Sequence, residues 1–172
     1  MTEKFEGKHG FPPGINQVLP ADVADQEAAR APGRDAHVAV DPVAFYGGIG
    51  AVVWEDVGNG CFIHPARGVL EQLAENGAVR VGEGPEPRGL VIGPDGGGLS
   101  YVIGPEGSIH RTRTASLDEP EADKVADDLR QFLESLERSP ARFLATGEPG
   151  YFQPQRQAGT ASTGRRVRRW AR

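Results

Sequence analysis

Two short glycine-bearing links in the middle of this 172-residue chain limit its architecture more than any other feature. Pro94-Asp95-Gly96-Gly97-Gly98 separates the apolar runs 90–93 and 99–104, and Pro105-Glu106-Gly107 separates the second of these from 108–115. A parallel crossover needs roughly a dozen residues or more, so links this short can only join antiparallel neighbours. The three runs therefore predict an antiparallel meander. The same chemistry recurs upstream, where 51–57 and 61–64, rich in β-branched and aromatic residues, flank Gly58-Asn59-Gly60 and predict a β-hairpin. Gly 24 and Pro 14 together exceed a fifth of the chain, which excludes a long helical bundle.

Helical periodicity is confined to shorter stretches. Over 65–76, Ala66, Val69, Leu70 and Leu73 share one face, and Gly77 supplies the stop. The strongest helix signal begins at Ser116, where Ser116 and Glu119 form a capping-box pattern and Pro120 sits near the first turn. Val125, Leu129, Phe132, Leu133 and Leu136 then follow at helical offsets. Weaker signals predict a helix from Leu19-Pro20-Ala21-Asp22 to Arg30, ended by Pro32-Gly33. A short turn capped by Asp41, with Pro42 at its first position, is stopped by Gly47-Gly48. The expected architecture is α+β, a mainly antiparallel sheet with helices packed on it. One domain is expected over 18–140, between a flexible N-terminal arm (1–17) and a disordered Pro/Gly/Arg-rich tail (141–172).

The formal charge of −5 conceals a split. Residues 151–172 carry six arginines (Arg156, Arg165, Arg166, Arg168, Arg169, Arg172) and no acid, leaving −11 on the rest. Such a body attracts basic partners and repels nucleic acid and membrane surfaces. Arg165-Arg166-Val167-Arg168-Arg169-Trp170 has the residue types for phosphate contact and base stacking, but the acidic body opposes it, so nucleic acid is not the expected partner. No run approaches the ~20 apolar residues of a membrane span, and MTEKFEGKHG lacks a signal-peptide core; the cytoplasm is the expected compartment. The lone Cys61 excludes an internal disulfide.

Reactive signatures are weak. Gly96-Gly97-Gly98 lacks the Lys-Ser/Thr of a phosphate loop and leads into a strand, and Gly82-Glu83-Gly84 meets Pro87 where a dinucleotide fingerprint needs glycine. Cys61 and His64 are half of a zinc site at best, with His9, His37 and His110 in no paired pattern. Ser100 and Ser116 lack a nucleophile elbow. The carboxylates at 118, 119, 121, 123, 127 and 128 read as a solvated helix start offsetting its dipole. No catalytic residue, metal or cofactor is expected; an enzyme using Cys61 and His64, or the acidic cluster, is the lesser alternative.

The ordered pieces carry a resemblance. Leu19-Pro20, Phe45-Tyr46-Gly47-Gly48, Phe62-Ile63-His64-Pro65, the segments 90–98 and 102–107, and the closing run 125–133 resemble the SUKH superfamily, Smi/Knr-type domains that include many bacterial immunity proteins. The match spans about 19–137 and departs from the family where the helix after Leu19-Pro20 is short and interrupted by Pro32-Gly33. The resemblance implies an α+β fold without enzymatic activity that binds another protein, often a toxin domain; some members are regulatory interaction modules instead. On this reading an acidic surface occludes a basic toxin, with Trp54, Glu55, Asp56 and Asp95 as candidate contacts. A housekeeping regulatory module without a toxin partner is the alternative.

Overall fold

In a computed structural model the described residues are 6–7, 10, 12–30, 45–56, 59–81 and 89–147. Among these residues, seven strands and three helices run in the order β1 (Asn16–Pro20), α1 (Val23–Arg30), β2 (Ile49–Trp54), β3 (Cys61–Ile63), α2 (Ala66–Asn76), β4 (Leu90–Pro94), β5 (Ser100–Ile103), β6 (Ile109–Thr112), β7 (Ala122–Ala126) and α3 (Leu129–Thr146). Residues 45–48 form a helical turn. The strands make two antiparallel sheets, β1-β2-β3 and β4-β5-β6-β7. The predicted hairpin is β2–β3, the predicted meander is β4–β5–β6, and the fold is α+β as expected.

The sheets meet where β3 runs beside β4. His64 N donates to Ile92 O at 2.8 Å, and Cys61 bridges Asp95. Gly93 makes this approach feasible: its φ is 154°, and a Cβ there would collide with the Phe62 carbonyl. One face of the joined sheets carries Val52, Ile63, Ile92, Tyr101 and Ile103 into a single core with Val69 of α2 and Leu129, Phe132 and Leu136 of α3. Tyr101 and Phe132 pack edge to face at 5.2 Å between ring centroids. Each buried α3 side chain is worth about 1.5–3 kcal/mol of transfer free energy, which fastens the helix to the sheet. The opposite face of the second sheet holds a smaller cluster of Val79, Val81, Val91 and Val102.

Three expectations need correction. The run 116–128 is not the first part of a helix. Ala122–Ala126 is a fourth meander strand pairing β6, and Glu119 has φ 44°, a left-handed value that breaks any helix there. The helix begins instead at Leu129, because Asp128 is its cap: the carboxylate accepts from Gln131 N at 2.7 Å. Second, α3 continues through Pro140 to Thr146, so 141–146 is not tail; Phe143, seven residues after Leu136, keeps the helical period beyond the proline. Third, Asn16 and Gln17 belong to β1 and not to an arm. Pro20 ends that strand, and Asp22, accepting from Asp25 N at 2.8 Å, caps α1. The Asp41 cap, the Pro32-Gly33 stop, Gly82-Glu83-Gly84 and the arginine-rich 151–172 lie outside the described residues.

Candidate binding groove

The start of α3 and the face of β1–β2 that looks toward it enclose a groove of about 950 Å³. Two local rules build it. Strand alternation puts Val18, paired with Val52, and Trp54 on one side of the sheet. Helical periodicity puts Leu129, Leu133 and Leu136 on the facing side of α3, with Phe45 and Ile49 completing the apolar walls. The reciprocal cap sets the helix in register: Asp128 accepts from Gln131 N while Gln131 Oε1 accepts from Asp127 N. Among the described residues the rim is acidic, with Asp128, Glu134 and Glu137 beside Arg130.

The sequence-derived contact candidates do not gather at this groove. Trp54 lines it, half-buried, and its indole Nε1 has no hydrogen-bond partner among the described residues. Glu55 and Asp56 instead secure the start of β1. Glu55 accepts from Ile15 N at 2.7 Å, and Asp56 accepts from Gly14 N at 3.1 Å and from Asn16 Nδ2 at 2.6 Å. Asp95 is 5% exposed, accepts from Gly97 N and Leu99 N at 2.9 Å each, and pairs with Arg111, so its charge is spent inside the turn and offers nothing to a partner. Asp95 is therefore removed as a contact. Val18, Glu134 and Glu137 were not singled out from the sequence, and Leu133 was named only as part of the helical stripe. Their signal was present as strand alternation and as Glu134 and Glu137 flanking the stripe of Leu133 and Leu136.

Cys61 and Ser108 both lie inside the fold. Cys61 is fully buried, and burial, with a smaller push from the Asp95 carboxylate, raises its thiol to about 12. It is a protonated core thiol at neutral pH. Partial burial holds His64 below its ordinary value. A pair the sequence did not suggest is Ser108 and His110, whose Oγ and Nε2 lie 2.9 Å apart below the β5–β6 turn. Ser108 also donates to Glu106 Oε1 at 3.3 Å. A carboxylate only accepts, so the single hydroxyl proton goes to Glu106 and the imidazole Nε2–H donates to Ser108. Glu106 thus hydrogen-bonds the serine and not the imidazole, and Ser108, 1% exposed, is closed to substrate. The cluster ties the β5–β6 turn to β6.

The carboxylates read as a helix start also divide. Glu121 and Asp123 clamp Arg113 at 2.9 and 2.6 Å, Asp127 pairs with Lys124 at 2.7 Å, and only Asp128 caps α3. The Arg113 guanidinium holds the Asp123 carboxyl below its usual range. Gly96-Gly97-Gly98 is a strand-joining turn wrapped around Asp95. Among the described residues no group of three or more His, Cys, Asp or Glu side chains could hold a metal ion, and no helix is long and apolar enough to cross a membrane. The chain matches no protein-family model, no curated protein and no solved structure.

Proposed function

We propose that this chain is a non-enzymatic protein-binding domain, an immunity protein of the SUKH type that neutralises a basic toxin domain through the α3 groove. The observation that carries the reading is the pairing of an apolar floor with an acidic rim. A partner loop that inserts an apolar side chain between Val52 and Leu133, with Lys or Arg beside it, meets both halves of the site. The buried anchor supplies slow release, and the charges of Glu134 and Glu137 supply fast, salt-sensitive encounter. The volume, near the upper end of the few hundred to ~1,000 Å³ typical of binding clefts, accommodates more than one side chain. The burial of Cys61 and Ser108 supports a role that does not pass through a nucleophile.

Co-expression with the product of the adjacent gene tests this reading. The expected result is a stoichiometric complex that protects cells from that product, and whose affinity falls at least about tenfold in Glu134→Lys/Glu137→Lys and in high salt. Absence of both complex and protection would overturn it.

A further inference from the structure

β1 is the outer strand of its sheet, and its free edge carries a pattern that fits itself. Glu55 N donates to Ile15 O at 3.1 Å, and β1 pairs β2 with Gln17 opposite Val53 and Leu19 opposite Ala51. In an antiparallel ladder, residues alternate between those that bond the neighbour and those that face away. Ile15, Gln17 and Leu19 are therefore committed to β2, while Asn16 and Val18 turn their N–H and C=O groups outward. Among the described residues no strand pairs on that side, and Ile15, Val18 and Leu19 are 53%, 51% and 41% exposed.

Edges are ordinarily blunted by charged side chains, prolines or bulges. The segment Ile15-Asn16-Gln17-Val18-Leu19 has no charge. Pro20 and the register shift between Leu19 and Pro20 stop the edge at one end, and the carboxylates of Glu55 and Asp56 hold it straight at the other. What is left is a short, uncharged rail, apolar at Ile15, Val18 and Leu19 and carrying amides at Asn16 and Gln17, with two outward-facing residues.

We propose that this rail pairs with β1 of a second copy of the chain, antiparallel about a two-fold axis through Gln17. In that register Asn16 lies opposite the partner's Val18. Both residues face outward, so the two symmetric pairs exchange four N–H···O bonds. Ile15 falls opposite the partner's Leu19, and Leu19 opposite the partner's Ile15. Two exposed apolar side chains on each copy thus become cross-strand pairs on one face of the sheet. No charge meets a like charge along the strand. The two β1-β2-β3 sheets become one six-stranded sheet, and because the axis stands perpendicular to it, both α3 grooves open on the same face. The proposal does not depend on what the groove binds.

The interface is small, so the association belongs to the concentration-dependent class, and the net charge of −5 on each copy makes it stronger as salt rises. Sedimentation equilibrium of the full chain from about 1 to about 500 µM should show mass moving from monomer to dimer, further so in added salt. Ile15→Lys and Leu19→Glu each change an exposed position, so the thermal unfolding curve should be retained while the dissociation constant rises at least about tenfold. The double variant Ile15→Lys/Leu19→Glu places Lys against Glu twice across the axis and should recover dimerisation to within about threefold of the natural chain. A chain that stays monomeric throughout, a dimer indifferent to the single changes, or a double variant no better than the singles would each overturn the proposal.

Discussion

Arg111 Nη2 lies 3.2 Å from Asp95 Oδ2, an ion pair that reaches from β6 across β5 to the turn that follows β4. The aspartate side chain is 3% exposed and also accepts the N–H groups of Gly97 and Leu99. Three donors thus converge on one carboxylate, and removing it leaves a guanidinium and two amides without their acceptor. Asp95→Ala should cost about 3–5 kcal/mol. Arg111→Met should cost less, because Asp95 keeps its two amide donors. Urea denaturation of both variants measures the difference, and equal losses would mean that the ion pair, not the turn, dominates.

Gly93 and Gly98 both have positive φ, 154° and 84°, yet only the first is crowded. A Cβ on Gly93 runs into the Phe62 carbonyl, whereas nothing lies within 4 Å of one on Gly98. Gly98→Ala should therefore cost only the conformational term of about 1 kcal/mol. Gly93→Ala must push β3 from β4 and should lower the melting temperature several times as far. Calorimetry of the two variants distinguishes them.

Cys61 should react with a thiol reagent only when the protein unfolds, at a rate that follows denaturant concentration. Its pH signature has a definite sign. The folded thiol is raised from its ordinary 9.0 to about 12, so stability is fully present below pH 9 and is lost as pH climbs toward 12, when the unfolded chain ionises and the folded one does not. The slope approaches about 1.4 kcal/mol per pH unit at most. Cys61→Ala should flatten the alkaline limb of a stability–pH curve; an unchanged limb would contradict the assignment.

His110 works in the opposite direction. Burial lowers it from 6.5, Glu106 opposes the shift, and Lys124, opposite it on β7, adds to it. A lowered folded value means that stability is complete above about pH 6.5 and declines as the solution is acidified through the folded value. Replacing His110 with Gln should reduce the loss of stability between about pH 6.5 and pH 5, followed by circular dichroism at fixed urea. His64, also lowered, should leave a residual slope in that variant.

What could be read from the chain was whatever neighbouring residues decide together. The turns at 94–98 and 105–107 join strands because their glycines and short lengths admit no other geometry, and α2 follows from an apolar stripe ended by Gly77 at φ 75°. The stripe of α3 was legible for the same reason, and with it one wall of the groove. Its start was not. Ser116 and Glu119 mimic a cap, and Val125 falls four residues before Leu129, but both readings ignore the free edge of β6, which takes 122–126 as a strand while Arg113 clamps Glu121 and Asp123 across the join. Likewise Pro140 signals a stop worth about 3 kcal/mol locally, and the helix passes through it.

The chain alone thus determined the hairpins, the isolated helix faces and the α+β class, because these depend on backbone sterics and side-chain period over a few residues. Only the tertiary structure decided that Asp95 is buried under Arg111, that Glu55 and Asp56 hold β1, and that Val18 faces Leu133 across a groove. Those relationships join residues far apart in sequence, where what matters is which donor, edge or apolar face is left unsatisfied once the local elements have formed.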